Sequence, residues 1–298
     1  TDSTLLLLGE SGTGKEVVAR LAHRLSARAQ GPYVRVNCAA VPLEMWESEF
    51  FGHRRGSFTG ATADRDGRFR LAHRGTLFMD EVGAMPLPAQ AKILRVLQDG
   101  QFERIGDEQP TTVDVRIVAA TNSDLDADVA AGRFRQDLFY RLNVLRIDIP
   151  PLRERIEDVP LLAERFVREI SARLGKRPPA IAPAALAELT AYAWPGNVRE
   201  LRNVIERALI LGRGGLIETV DVPGGARRAA GAPPGGAETA GELNLRAALS
   251  GREKEMLIEA LRRSEGVRKE AARLLGIDQR NLAYYLRKHG IDPDAPDA

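Results

Sequence analysis

Cysteine is nearly missing from this sequence: Cys38 is the only one in 298 residues. An internal disulfide is therefore excluded, and the usage fits a reducing, cytoplasmic setting. Long hydrophobic runs are missing too. No stretch approaches the ~20 consecutive apolar residues of a membrane-spanning helix, and no secretory signal pattern is present, so no membrane partner is expected. Nor does one sign of charge dominate, because 43 Lys and Arg stand against 41 Asp and Glu, for a formal net charge of +2. That balance argues against a surface coated throughout for nucleic acid. It leaves room for a local basic element, since net charge averages over domains. What is present, 44% hydrophobic and 28% charged residues, is the mixture of a globular chain long enough for two domains.

Two features punctuate the chain. Val222–Gly241 (VPGGARRAAGAPPGGAETAG) has no large apolar anchor after Val222. It cannot bury enough surface to offset its ordering entropy and reads as a flexible linker. The second boundary lies at Pro150-Pro151. Before it, Leu5–Leu8, Tyr33–Val36, Thr76–Met79, Val115–Ala120 and Val144–Ile149 are short apolar runs that read as buried parallel strands. Helical stretches, Lys15–Ala29 and Pro88–Asp99 among them, alternate with these runs and predict an α/β layer architecture. From Arg155 to Leu211 the periodicity is helical only, with Ile156, Val159, Leu162, Phe166 and Ile170 on one stripe. The expected organisation is an α/β part over 1–150, an α-helical lid over 151–217, a linker over 218–242 and an all-α domain over 243–298. The chain opens at Thr1 and runs at once into the first strand, so further sequence is expected upstream.

Gly9-Glu10-Ser11-Gly12-Thr13-Gly14-Lys15 follows an apolar strand and precedes a helix, the context a Walker A phosphate loop requires. Its glycines let successive N–H groups curl around phosphates, the helix N-terminus adds its dipole, and Lys15 reaches the β/γ oxygens. Glu16 departs from the general motif, which has Ser or Thr there to hold magnesium. Gly75–Glu81 is an apolar strand ending in two acids. Asp80 suits a magnesium ion, directly or through water, and Glu81 is placed to orient or deprotonate an attacking water. Thr121-Asn122 follows the strand Val115–Ala120, in reach of a γ-phosphate. Arg135 and Arg141 are spaced for one helical surface or a tight turn, and Arg199 begins a lid helix that would sense phosphates. ATP and Mg²⁺ are the ligands these residues imply.

At Glu49–Ala61 (EFFGHRRGSFTGA) the chain resembles the polymerase-contacting loop of sigma-54-dependent activators, the bacterial enhancer-binding proteins. The family pattern is Gly-Ala-Phe-Thr-Gly-Ala; here Gly56, Ser57, Phe58, Thr59, Gly60 and Ala61 carry Ser in place of the usual Ala. The Lys15-Glu16 ending of the phosphate loop, Val36–Ala40, Phe134–Arg141 and Trp194–Leu201 are similar to further blocks of that family, in the same order. The resemblance implies an AAA+ P-loop ATPase that assembles as a ring, usually a hexamer, and binds ATP between subunits. It implies that Asn37 pairs with Glu81 as a γ-phosphate switch, that Arg135 and Arg141 act in trans, and that Arg199 is the lid sensor. It also implies that Gly56–Ala61 presses Phe58 and Thr59 onto the sigma factor in RNA polymerase. Glycines at both ends permit a hinge, and an exposed Phe is an apolar contact awaiting a partner.

Toward the C-terminus, Glu253–Arg263 reads as an amphipathic helix that buries Met256, Leu257, Ala260 and Leu261. Val267–Leu275, a turn at Gly276 and a helix capped by Asp278 complete a helix-turn-helix, which would place its second helix in the major groove. On that helix Gln279, Arg280, Asn281, Tyr284, Arg287 and Lys288 would touch bases or phosphates of double-stranded DNA. Glu270–Ile277 resembles the Fis-type domain. The alternative function is a DNA-binding regulator with an AAA+ fold and no remodelling activity; intact Phe58, Thr59 and Glu81 argue against it.

Overall fold

A computed structural model describes residues 2–212, 215–222, 257, 260–262, 264, 267–275, 282 and 286. The chain divides into two compact units, Thr1–Arg228 and Ala229–Ala298. The first unit opens with β1 (Leu5–Leu8), α1 (Lys15–Arg24), β2 (Tyr33–Asn37), α2 (Trp46–Phe51), β3 (Gly52–His53), β4 (Arg65–Asp66) and α3 (Arg68–Leu71). It continues through β5 (Thr76–Asp80), α4 (Leu87–Asp99), β6 (Gln101–Glu103), β7 (Pro110–Thr112), β8 (Arg116–Thr121), α5 (Leu125–Ala130), α6 (Gln136–Leu142) and β9 (Leu145–Asp148).

Five of these strands form one parallel sheet in the order β2-β5-β8-β1-β9. The apolar runs of β1, β5 and β8 are continuous because both faces are covered, whereas the expected burial fails at the edges, where β9 is exposed along its length and β2 is only partly covered. Leu6, Leu77, Met79, Ile117 and Ala119 belong to the larger core with α4 and α6, whereas Leu5, Leu7, Phe78, Val118 and Ala120 pack with Ala19 of α1. Leu6 and Leu7 are wholly buried, each contributing ~1.5–3 kcal/mol on burial. Two antiparallel hairpins, β3–β4 and β6–β7, project from this layer structure.

Boundaries moved by a few residues, for local reasons. The helix expected over Lys15–Ala29 ends at Arg24, because Ser26 Oγ donates to His23 O (2.7 Å) and accepts from the Arg28 N–H (3.1 Å), turning the chain. The strands that carry Asn37, Asp80 and Thr121 extend to include them, so all three side chains have directions fixed by the sheet.

The lid follows in the same unit: α7 (Asp158–Arg173), β10 (Ala180–Ile181), α8 (Pro183–Ala191), α9 (Asn197–Leu211) and β11 (Leu216–Ile217). Of the expected stripe, Val159, Phe166 and Ile170 are buried, Ala163 and Val167 complete it at the 3.6-residue period, and Ile156 and Leu162 are half-buried. They meet Trp194, Leu201, Val204 and Ile205 in a core separate from the sheet's.

In the second unit α10 (Arg268–Leu274) contributes Ala271 and Ala272 to a cluster with Leu257, Ala260, Leu261, Leu282 and Leu286. The expected DNA-contacting residues Gln279, Arg280, Asn281, Tyr284, Arg287 and Lys288 lie outside the described residues, as does the proline- and glycine-rich segment from residue 223 to 241.

Candidate functional site

In a parallel sheet, ligand sites form beyond the carboxyl ends of the strands. Here β8 lies between β1 and β5, so Thr121-Asn122 comes between the phosphate loop that follows β1 and the acids that end β5. Lys15 is buried; its Nζ donates to Gly9 O (2.8 Å) and Glu10 O (3.2 Å) and stands 4.0 Å from Glu81 Oε1. Gly14 caps α1 with φ 103°, a conformation that favours glycine, and a Cβ there would meet nothing within 4 Å. The loop is therefore open in front of α1, whose first N–H groups and lysine make it an anion cradle.

Asp80 is half-buried. Burial, then the charge of Glu81, raises its carboxyl above the usual carboxylate range, while Lys15 acts in the opposite sense. Among the described residues no group of three or more His, Cys, Asp or Glu is able to hold a metal by itself. A magnesium ion at Asp80 would take its other ligands from phosphate and water, which is how Mg²⁺ is usually held. Glu16 supplies no hydroxyl. Its Oε1 accepts from Arg35 (2.9 Å) and Arg20 (3.3 Å), and it lines a cavity of about 470 Å³ shared with Asn37 and Asp80.

The expected Asn37–Glu81 pair is not made. Sheet register sets Asn37 beside Asp80, and Asn37 Oδ1 accepts from the Ala39 N–H (2.9 Å). Glu81 leaves the strand in the left-handed region (φ 55°), and its Oε2 accepts from the Asn122 N–H (3.2 Å). Thr121 is buried and its Oγ1 accepts from the Ser123 N–H (3.0 Å).

The arginines separate. Arg199 reaches the loop of its own chain, donating to Ser11 Oγ (3.0 Å). Arg135 and Arg141 do not share a helical surface: Arg135 precedes α6 and pairs with Asp137 (2.7 Å), whereas Arg141 near its end donates to Leu97 O (2.7 Å). Arg141 also lines a cavity with Thr4 and Val115, at the amino ends of β1 and β8. Lys15 lies past the carboxyl end of β1, about 13 Å or more away for a four-residue strand.

Gly56–Ala61 forms the tip of the β3–β4 hairpin. Gly56 (φ 81°) and Gly60 (φ 102°) flank it with open space at both Cβ positions, and the Gly56 N–H donates to Ala61 O (2.8 Å). Phe58 is 45% exposed and packs steeply inclined to the buried ring of His53, with ring centroids 4.9 Å apart. Thr59 is exposed and Ala61 buried. Ser57 Oγ donates to Arg54 O (2.7 Å). Sequence reasoning missed the supports of this tip. Arg54 bridges Asp64 (2.8 Å) and Asp107 (3.1 Å), and so links the two projecting hairpins.

A parallel sheet in this strand order, a phosphate loop and acid pair at its carboxyl edge and a helical lid resting on the loop define an AAA+ module. Residues 1–148 match the Sigma-54 interaction domain, residues 153–237 the AAA+ ATPase lid domain and residues 249–289 the Fis family of bacterial regulatory proteins. The regulatory protein AtoC of Escherichia coli (strain K12) is 49% identical over 98% of this chain and 64% of its own length. The response regulator protein FleR of Pseudomonas aeruginosa is 47% identical over 99% of this chain and 67% of its own length. The crystal structure of NtrX from Brucella abortus in complex with ATP has 40% identity and a TM-score of 0.70 over 98% of this chain and 64% of that one. Across such curated relatives the chain spans from 42% to 67% of their length. The chain belongs to the sigma-54-dependent transcriptional activators. No helix among the described residues is long and apolar enough to cross a membrane.

Proposed function

We propose that this chain binds ATP at Gly9–Lys15, hydrolyses it between adjacent copies in a ring, and uses the cycle to remodel RNA polymerase carrying sigma-54. The observation that carries the reading is the convergence of Lys15, Asp80, Glu81 and Asn122 at one sheet edge, in a chain that also presents Phe58 on a glycine-flanked hairpin tip. The complex of the related NtrX with ATP supports it.

Lys15 and the loop N–H groups would bind the phosphates, with Asp80 holding Mg²⁺, which supplies neutralisation of developing phosphate charge. Glu81, steadied by the Asn122 N–H, would accept the proton of the water that attacks the γ-phosphorus, with ADP as leaving group. Arg199 would contact phosphate from the lid of the same chain. Arg141 stands at the far end of the sheet, so it would act only on a neighbour's nucleotide, with Arg135. Such a trans arginine is worth ~10³–10⁵ in rate. Asn37 would serve as a switch on Glu81 only after leaving the Ala39 N–H. Gly56–Ala61 would rise on its glycines to set Phe58 and Thr59 against sigma-54. The domain after the linker would dock its second helix in upstream double-stranded DNA through Gln279, Arg280, Asn281, Tyr284, Arg287 and Lys288. The active form would be a cytoplasmic homo-oligomer, a hexamer.

The test is open-complex formation by sigma-54 polymerase on a supercoiled promoter, with ATP and with a non-hydrolysable analogue. Opening with ATP alone is expected. ATP hydrolysis without opening, in a chain extended upstream and in Ser57→Ala alike, would favour a DNA-binding regulator without remodelling activity.

A further inference from the structure

We propose that Glu10, Arg153 and Asn197 are positioning residues that couple the phosphate loop to the lid, Glu10 acting through the lid and not as a nucleotide contact. The inference rests on the reading of Gly9–Lys15 as the nucleotide site.

Both carboxylate oxygens of Glu10 are taken up by the lid side of the chain. Arg153 grips them in a two-pronged contact, Nη2 to Oε1 at 2.6 Å and Nη1 to Oε2 at 2.9 Å, and Asn197 Nδ2 donates to Oε2 at 3.0 Å. A bidentate guanidinium–carboxylate pair fixes orientation as well as distance. Asn197 is wholly buried at the start of α9 and joins three segments. Its Oδ1 accepts from the Leu152 N–H (2.7 Å) of the connection between sheet and lid, and its Nδ2 also donates to Ser11 O (3.1 Å).

Two further contacts, beside that of Asn197 with Ser11 O, show what this junction holds. Three successive loop carbonyls accept hydrogen bonds from the connection and the lid. They are Ser11 O from Asn197, Gly12 O from the Arg199 N–H (3.3 Å) and Thr13 O from Arg155 Nη2 (2.9 Å). In a trans peptide the carbonyl and the following N–H point in opposite directions. Anchoring Ser11 O and Thr13 O on the lid side therefore turns the Gly12 and Gly14 N–H groups to the other side of the loop, where the cradle lies, while the Thr13 N–H stays within the loop on Glu10 O (3.4 Å). The approach is close: a Cβ on Gly12 (φ 83°) would fall 2.4 Å from Gly196 O. A loop that closes on phosphate would thus pull on α9, and a lid that swings would reorient the cradle.

The test uses the full chain and its Glu10→Gln, Arg153→Gln, doubly substituted and Arg153→Lys forms, with a fluorescent ADP analogue for affinity and amide hydrogen exchange with and without ADP. In the wild type ADP should slow exchange in α9. Arg153→Gln should lose most of that slowing while binding ADP within about threefold of wild type. Glu10→Gln should lose the slowing in α9 to the same extent as Arg153→Gln, and the double form should lose no more of it than either single, because all break one contact. Arg153→Lys, which keeps the charge but not the fork, should fall between and serves if a glutamine form does not fold. ADP-induced slowing that survives in Arg153→Gln and Arg153→Lys would overturn the coupling. So would an affinity loss of about tenfold or more confined to Glu10→Gln, which would make Glu10 a nucleotide contact. Failure of the wild type to bind ADP would instead overturn the nucleotide site itself, and the coupling with it.

Discussion

Asn197→Ala tests the lid junction through stability alone. Asn197 has φ 54° and no exposure, and its amide satisfies the Leu152 N–H. Asn tolerates the left-handed region, whereas Ala there costs ~1–2 kcal/mol. Removing the amide leaves the buried Leu152 N–H without a partner, at ~1–3 kcal/mol. The sum is a loss of about 2–5 kcal/mol from the lid's stability. Asn197→Gly pays only the second cost, so the two variants should differ by about 1–2 kcal/mol. Trp194 is buried in the lid core and Trp46 in the core of the sheet domain. With Trp46→Phe as the background, Trp194 fluorescence in urea follows the lid. Equal costs for Ala and Gly would refute the backbone argument. A cost below about 1 kcal/mol for Ala would refute the claim that the amide holds the junction.

Glu81→Gln should bind ATP and lose hydrolysis by about 10²–10⁴-fold, whereas Phe58→Ala should hydrolyse ATP and fail to open the promoter. Equal loss of hydrolysis in both would end that separation of roles. Asp80→Asn removes a carboxyl whose ionised form is disfavoured by burial and by the neighbouring Glu81. It should abolish Mg²⁺-dependent hydrolysis and raise the Tm, by about 2–4 °C for each ~1 kcal/mol recovered; an unchanged or lower Tm would contradict it. The pair with Arg153, then the Asn197 bond, holds Glu10 well below its usual range, at about 2. A depressed carboxylate stabilises the fold above its unfolded pKa, about 4.3, and the contribution is lost as pH falls through the folded value. The Tm gap between wild type and Glu10→Gln should therefore narrow from about pH 6 to about pH 3, and a constant gap would argue against the ionised pair.

What was legible in the sequence is what neighbours in the chain decide. A leucine strand, three glycines, a lysine and a helix are local, so the phosphate loop and its place in the fold could be read directly. An apolar strand ending in Asp80-Glu81 is local too. Sheet register is not, and it is register that sets Asn37 against Asp80 while the left-handed turn at Glu81 carries that carboxylate to Asn122. Arg153 and Glu10 are separated by 143 residues, and nothing in the Pro-Leu-Arg-Glu-Arg stretch marks its first arginine as the partner of a phosphate-loop acid. The Arg54–Asp107 bridge likewise joins two hairpins whose proximity no pattern of periods reveals.

The backbone says where function outweighed local preference. Among the described residues, non-glycine positive φ occurs at Arg74, Glu81, Trp194 and Asn197. Three of these four flank the nucleotide site or the lid junction. At Glu81 the left-handed step takes the second acid off the strand direction fixed for Asp80, so two adjacent carboxylates face different partners. At Trp194 and Asn197 it brackets the Pro195-Gly196 corner, buries the indole with its N–H on Leu189 O (2.9 Å), and aims the Asn197 amide back into the loop. A non-glycine residue in this region costs ~1–3 kcal/mol, least for Asn, and persists only where its surroundings over-determine it. Both turns make a side chain cross between elements that regular geometry would keep apart. That is what a site shared by a sheet and a lid demands, and it locates the coupling at α9's first turn and not along its length.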